Sequence, residues 1–163
     1  MFPLSNSVGR SFARSMPSSA QIPRRLSLEA RNTIPEIAVA IDRSVEFLRK
    51  NGASRHVLFV SELALEELLT NIVKYGYMDS APHAISVDLE TKGNEVRLRL
   101  TDDGIPFNPW DDAPEPVRGR PASARPLGGQ GVMLVKKFAN SFAYQRASGK
   151  NVVTVHLPHH RED

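Results

Sequence analysis

Three short polar motifs hold the side chains of this chain that could do chemistry. Glu67 and Asn71 lie four residues apart, which places a carboxylate and a carboxamide one above the other on a helix face. Two glycine-containing motifs follow them, Asp102-x-Gly104 and Gly128-Gly129-x-Gly131. Each motif alone is weak, because an isolated Asp-x-Gly is usually a turn and an isolated glycine run usually opens a helix. Their order along one chain indicates a shared site.

The chemistry that the three motifs suit together is the binding of ATP. Asp102 can accept a hydrogen bond from an exocyclic amine, and Gly104 lets the backbone pass close to a flat ring. Asn71 has a carbonyl oxygen suited to Mg²⁺, and Glu67 could order or deprotonate a nucleophile near the terminal phosphate. Backbone N–H groups at a helix start favour phosphates, and three glycines open a helix here: Gly128, Gly129 and Gly131.

The periodicity of apolar residues predicts the elements that position these motifs. Helices are predicted over 33–50, from a cap at Ser54 to about Tyr77, and over 131–138; the middle helix has a core stripe of Leu58, Leu65, Leu69 and Ile72. Strands are predicted over 26–30, 85–91, 95–101, 141–146 and 152–157. Short turns between consecutive strands favour antiparallel pairs. The predicted fold class is therefore α+β, a mixed and mostly antiparallel sheet with the helices on one face.

The chain divides by composition into one domain with two tails. Residues 1–25 contain no acidic residue, four arginines and many serines and prolines, so a flexible tail is predicted in preference to an organellar transit peptide. Residues 26–158 form the predicted ATP-binding domain. Within it, residues 105–127 contain most of the remaining prolines and are predicted to be a lid. Residues 159–163 form a polar tail.

Composition excludes several classes of function. The chain of 163 residues has no cysteine, which excludes thiolate metal sites and a cysteine nucleophile. Its formal net charge is +3, but acids and bases are interspersed, so no nucleic-acid-binding footprint is present. No stretch approaches the roughly 20 apolar residues of a membrane span. The sequence therefore predicts a cytoplasmic protein that binds neither nucleic acid nor membrane.

The three motifs and their order resemble the GHKL superfamily of ATP-binding domains, which have the Bergerat fold. Within that superfamily the chain looks like the small anti-sigma factor serine kinases of the RsbW type, over roughly Leu26 to Pro158. The resemblance makes Glu67 the N-box glutamate and Asn71 the magnesium-binding asparagine. It assigns the remaining boxes as follows: Asp102 and Gly104 to the adenine-reading G1 box, and Gly128, Gly129 and Gly131 to the G2 box.

The chain departs from the superfamily pattern just before its last strand. Many members have a Gly-Thr pair there, whose threonine helps to fix the adenine, whereas the aligned position here is Asn151. Asparagine can also donate and accept hydrogen bonds, so Asn151 is retained as a nucleotide-binding residue. The role of Thr154, three residues later, is left open.

The resemblance implies partners and an activity that composition cannot show. It implies an ATP- and Mg²⁺-dependent kinase that phosphorylates a serine on a small STAS-type antagonist protein, and a homodimer that holds a sigma factor. A second interpretation keeps the nucleotide site without turnover, as an ATP-gated regulator in a partner-switching circuit. A complete sensor histidine kinase is excluded, because only one helix precedes the Glu67 helix and no phospho-accepting histidine lies on it.

Overall fold

A computed structural model describes residues 23–112 and 129–160, which form a five-stranded sheet with three helices on one face. The elements in chain order are β1 (Arg24–Arg31), α1 (Ile34–Lys50), α2 (Arg55–Tyr75), β2 (Ala84–Lys92), β3 (Glu95–Asp102), α3 (Gln130–Phe138), β4 (Ser141–Ala147) and β5 (Lys150–Pro158). The predicted α+β class is confirmed. None of these helices is long and apolar enough to cross a membrane.

The order of strands in the sheet is β1-β2-β3-β5-β4, so the last strand in sequence lies between β3 and β4. All four strand pairings are antiparallel, and the parallel pair that a mixed sheet would contain is absent from the described strands. At one end of the sheet, Asp102 of β3 lies opposite Asn151 of β5, which in turn lies opposite Arg146 of β4. This row of three positions borders the predicted nucleotide site.

The core lies between the sheet and the helices. Buried residues alternate along β2 and β3, as expected for a sheet with one covered face, and in β5 Val152 is buried in addition to the alternating set. The least exposed side chains from these strands are Ile85, Val87, Leu89, Val96, Leu100, Val155 and Leu157. Each fully buried aliphatic side chain contributes roughly 1.5–3 kcal/mol, so this face holds the sheet and helices together.

Helix α2 begins at the predicted cap, where the Ser54 hydroxyl accepts a hydrogen bond from the backbone N–H of Val57 at 3.3 Å. Leu65 and Leu69 are fully buried, as predicted. The buried stripe also includes Val57, Val60, Ala64 and Leu68, whereas Leu58 and Ile72 are only partly buried. The core face is therefore rotated from the predicted one, toward the side on which Glu67 lies.

The hairpin between β4 and β5 turns through two residues with positive φ, Ser148 at 50° and Gly149 at 76°. Positive φ at both central residues matches the twist of antiparallel strands, which explains the tight connection between these two predicted strands. Helix α3 follows Gly129, whose φ is 83°. A side chain would be strained at that angle, so the glycine allows the chain to enter the helix abruptly.

Several predicted tail and lid residues pack against the domain. Trp110, inside the predicted lid, is 7% exposed; its carbonyl accepts a hydrogen bond from Lys136 Nζ at 2.6 Å, and its ring lies 4.8 Å from that of Phe142. His159, inside the predicted polar tail, is buried, and its carbonyl accepts the N–H of Ser54. The rest of the lid from 113, residues 1–22 and residues 161–163 lie outside the described residues.

Candidate nucleotide-binding site

A narrow pocket lies between α2, the end of β3 and the start of β5. Its lining is mostly apolar, with three polar side chains at Asn71, Asp102 and Asn151; the apolar part includes Leu68, Ile72, Ile105, Phe107 and Val153. The pocket volume is about 20 Å³, near that of one water molecule. The enclosed space is therefore small, and Tyr75 and Phe107 are among the side chains that border it.

Asp102 presents one carboxylate oxygen to this pocket. Its Oδ1 accepts hydrogen bonds from the N–H of Gly104 at 2.9 Å and from Asn151 Nδ2 at 2.8 Å. Its Oδ2 accepts none from the described residues. Burial raises the pKa of Asp102, and the hydrogen bonds from Asn151 and Gly104 oppose that rise. The geometry therefore leaves an acceptor for a ligand's N–H group.

Gly104 is required by the protein backbone itself. A Cβ at this position would lie 2.5 Å from the carbonyl oxygen of Gly76 and 2.8 Å from Asp102 Oδ1. The next residue, Ile105, donates its N–H to the same Gly76 carbonyl at 2.8 Å. The loop after β3 is thus attached to the end of α2, which closes one wall of the pocket.

Asn151 makes four hydrogen bonds to the protein. Its Nδ2 donates to Asp102 Oδ1 at 2.8 Å and to the carbonyl of Ile105 at 2.9 Å. Its Oδ1 accepts from the Tyr144 hydroxyl at 2.9 Å and from Arg146 Nη1 at 2.8 Å. Thr154 lies on the opposite face of the sheet, level with Arg99, so Asn151 is the residue of β5 that shares a row with Asp102.

Glu67, Asn71 and the glycine loop meet at α2, where Asn71 also lines the pocket. Glu67 Oε1 accepts the N–H of Gly129 at 2.6 Å and, at 3.3 Å, a hydrogen bond from Asn71 Nδ2. Because the Asn71 amide turns its nitrogen toward Glu67, its carbonyl oxygen is left without a hydrogen bond from the described residues. A carboxylate thus occupies the position on the Gly129 N–H that an anionic phosphate oxygen would suit.

Gly131 brings α3 into direct contact with α2. A Cβ there would lie 2.5 Å from the carbonyl oxygen of Leu63 and 2.7 Å from Glu67 Cβ. The third glycine of the loop is therefore needed for helix packing. Gly128 lies outside the described residues.

A polar cluster around His83 includes Asp103, the residue that follows Asp102 in the chain. The His83 ring is stacked on Tyr77 at 4.1 Å, and its nitrogens lie 2.9 Å from Asp79 Oδ1 and 3.1 Å from Asp103 Oδ1. Hydrogen bonds that the His83 ring donates, to Asp79 first and then to Asp103, raise the pKa of His83. Burial raises the pKa of Tyr77, and the charges of Asp102 and Asp103 raise it further.

The arrangement suits Mg²⁺ held chiefly by a nucleotide. No three His, Asp or Glu side chains come together as a metal site in residues 23–112 and 129–160. Mg²⁺ typically takes one or two protein oxygens together with waters and substrate phosphates. The unbonded carbonyl oxygen of Asn71, beside the glycine loop, fits that role, and the ion would neutralise charge on the phosphates.

Sequence reasoning did not anticipate three residues that shape the site. Gly76 closes the pocket through its carbonyl, and Tyr144 and Arg146 hold the Asn151 amide. Tyr144 and Arg146 lie two residues apart on β4, so their side chains share one face of this edge strand. Two polar residues on the core side of a strand were the pattern in the sequence that could have indicated this contact. Nothing local to Gly76 indicates its contact, because its partner is 29 residues away.

The chain is similar to known proteins in sequence and in fold. A family model for the histidine kinase-like ATPase domain matches residues 30–157. The chain is 31% identical over 102 residues to the serine/threonine-protein kinase BtrW of Bordetella bronchiseptica, covering 63% of this chain and 71% of BtrW. It also superposes on a structure of the RsbU and RsbW domains of a Mycobacterium tuberculosis protein, with a TM-score of 0.54 and 14% identity. That match covers 83% of this chain and 32% of the other, and indicates a shared fold.

Proposed function

Since the chain belongs to the family of histidine kinase-like ATPase domains, we propose that it is an ATP-dependent protein serine kinase and anti-sigma factor. Its protein substrate would be a STAS-type antagonist, and its second partner a sigma factor, held by a homodimer in the cytoplasm. The kinase named among its relatives, BtrW, supports the choice of reaction. The partners follow from the resemblance to RsbW-type proteins.

The observation that carries the proposal is the contact between Glu67 and the glycine loop. The Glu67 carboxylate accepts hydrogen bonds from the helix-opening N–H of Gly129 and from the amide nitrogen of Asn71, and Asn71 also lines the pocket beside Asp102. Phosphoryl transfer depends mainly on positioning and on neutralising charge, and these groups supply both. We assign Asp102 to the adenine amine, Asn71 to Mg²⁺ and the N–H groups near Gly129 to the phosphates.

In the proposed reaction a serine Oγ attacks the terminal phosphorus of ATP, and the bond from that phosphorus to the bridging oxygen breaks to leave ADP. Glu67 would accept the hydroxyl proton, because its carboxylate lies beside the glycine loop that we assign to the phosphates. This role needs an ionised carboxylate, which is why the amide variant is the informative one.

Label transfer tests the proposal. The full chain would be incubated with Mg²⁺ and γ-labelled ATP and with purified STAS-type proteins from its own genome. Each STAS protein would also be tested with its acceptor serine changed to alanine. We expect label on one STAS protein and none on its serine variant. If ATP binds and regulates partner binding but no STAS protein is labelled, the chain is instead the ATP-gated regulator without turnover.

A further inference from the structure

A row of hydrogen-bonded side chains crosses three strands behind the base pocket. Arg146, Asn151 and Asp102 occupy facing positions on β4, β5 and β3. Arg146 Nη1 donates to Asn151 Oδ1 at 2.8 Å and to the carbonyl of Gly104 at 2.7 Å. Asn151 then donates to Asp102 Oδ1 at 2.8 Å. The row therefore connects an edge strand to the acceptor that faces the pocket.

The chemistry of these groups fixes the direction of every bond in the row. A guanidinium has only donors, so the Asn151 amide must turn its oxygen toward Arg146. The Tyr144 hydroxyl donates to the same oxygen at 2.9 Å. The Asn151 nitrogen is thereby directed at Asp102. A reversed amide would place two oxygens against each other, which costs free energy unless the carboxyl is protonated.

All four hydrogen-bonding positions of Asn151 are used, and the residue is only 4% exposed. Its amide therefore has no free donor or acceptor for a nucleotide. Asp102 Oδ1 is likewise occupied, by Asn151 and by Gly104. Asp102 Oδ2 is the one oxygen of this group that can serve a ligand.

We propose that Arg146 and Tyr144 are positioning residues for base recognition, which orient the Asn151 amide and so hold Asp102 as a pure acceptor for the exocyclic amine of adenine. The inference rests on the proposed function only in naming Asp102 as the residue that reads the base. The orientation itself follows from the donors and acceptors of the described residues. The row gives Asn151 an indirect part in recognition.

Among the described residues, three charged or titratable groups lie near Asp102. Arg146 lies on β4, Asp103 follows Asp102 in the chain, and Tyr77 follows α2. Arg146 is the cation that acts on Asp102, both through space and through Asn151. Removing its charge and its donors should therefore make the Asp102 carboxylate less stable relative to the acid.

The first test needs no nucleotide. Carbon-detected NMR would follow the Asp102 carboxyl against pH in wild type, Arg146→Met and Arg146→Lys, with Arg99→Met as a control on the exposed face of β3. We expect a higher titration midpoint in Arg146→Met, substantial recovery in Arg146→Lys and the wild-type midpoint in Arg99→Met. An unchanged midpoint in Arg146→Met would overturn the proposed orientation.

The second test separates the base from the phosphates. Arg146→Met should weaken ATP about tenfold or more while changing the affinity for tripolyphosphate less than twofold, because only ATP has a base. Tyr144→Phe should also weaken ATP binding, by a smaller factor than Arg146→Met. Equal losses for both ligands, with a lower Tm, would make the row merely structural and overturn the proposal. If the wild-type protein binds no ATP, the proposed function is wrong. The titration of Asp102 would still test the orientation of the Asn151 amide.

Discussion

The carboxylate of Glu67 and the backbone N–H of Gly129 meet at 2.6 Å, although 62 residues separate them in the chain. The N–H at a helix start and a carboxylate attract each other as the same N–H and a phosphate would. Binding of a triphosphate is therefore expected to exchange one anion for another. The exchange would release Glu67 only when the phosphates are in place.

We expect Glu67→Gln to separate nucleotide binding from transfer. The amide oxygen still accepts from Gly129 but cannot take a proton, so ATP affinity should stay within about tenfold while serine phosphorylation falls roughly 100-fold or more. Glu66→Gln, on the exposed side of the same helix, is the matched control and should transfer at the wild-type rate. Equal rates in the two variants would remove Glu67 from the reaction.

Asn71→Ala should abolish the part of ATP binding that depends on Mg²⁺. The variant loses the carbonyl oxygen that we assign to Mg²⁺ and leaves the core stripe of α2 intact. Calorimetry with Mg²⁺ and with a chelator should give nearly the same weak affinity, whereas wild type and Thr70→Ala should bind much more tightly with Mg²⁺. A strong Mg²⁺ effect in Asn71→Ala would contradict the assignment.

Asp102→Asn should weaken binding of the adenine base and leave the protein folded. Gly104 and Asn151 both donate to Oδ1, so the new amide must place its oxygen there and its NH₂ group toward the pocket. A donor then faces the adenine amine, and the loss of the charge-assisted bond costs roughly 1.5–3 kcal/mol of binding. Burial raises the pKa of Asp102, so the charged form is disfavoured in the folded state, and the neutral amide should not lower stability at pH 7.

Asp103→Asn is the control for that variant, because Asp103 lies next in the chain and faces His83. Its ATP affinity should match that of wild type. If Asp103→Asn loses ATP and Asp102→Asn retains it, Asp103 reads the base.

Gly131→Ala should loosen the contact between α2 and α3. The new Cβ would lie 2.5 Å from the Leu63 carbonyl, and backbone cannot yield as a flexible side chain does. Overpacking of this kind costs about 1–3 kcal/mol, which outweighs the gain of up to about 1 kcal/mol from replacing glycine in a helix. Urea unfolding should show the loss in Gly131→Ala and little change in Met133→Ala, which is half exposed on α3.

His83 should make stability depend on pH. Its pKa is raised by Asp79 and Asp103, so pairing stabilises the folded state fully below the unfolded pKa of about 6.5, and the effect is lost as the pH rises through the folded value. The difference in unfolding free energy between wild type and His83→Gln should therefore be larger at pH 6 than at pH 9. A difference that is constant with pH would show that the ring acts only by packing on Tyr77.

Local signals in the sequence predicted the elements well. Ser54, the spacing of Leu65 and Leu69, and the turn at Ser148 and Gly149 each act within a few residues, so their consequences can be read without knowing the rest of the fold. Helix α2 ends at Tyr75, two residues before the predicted end at about Tyr77. The carbonyl of the next residue, Gly76, pairs with Ile105, a distant contact that no local pattern records.

The motifs of the site were visible in sequence, but the reasons for their residues were not. Gly104 was explained by the approach of a flat ring, whereas the Gly76 carbonyl already occupies the space of a Cβ there. Arg146 and Tyr144 were overlooked because β5 lies between β3 and β4, an arrangement that depends on long-range pairing. Asn151 could be aligned with a nucleotide-binding position, but its four bonds appear only with that strand order.

The position of β5 also sets the order of events during synthesis. β1, β2 and β3 can pair as each leaves the ribosome, because each lies beside its predecessor. β4 has no neighbour in the sheet until β5 arrives, and Asp102 has no partner at Asn151 until then. In a nascent chain, the row from Arg146 through Asn151 to Asp102 therefore cannot form before β5 has been synthesised, so this part of the site is completed last.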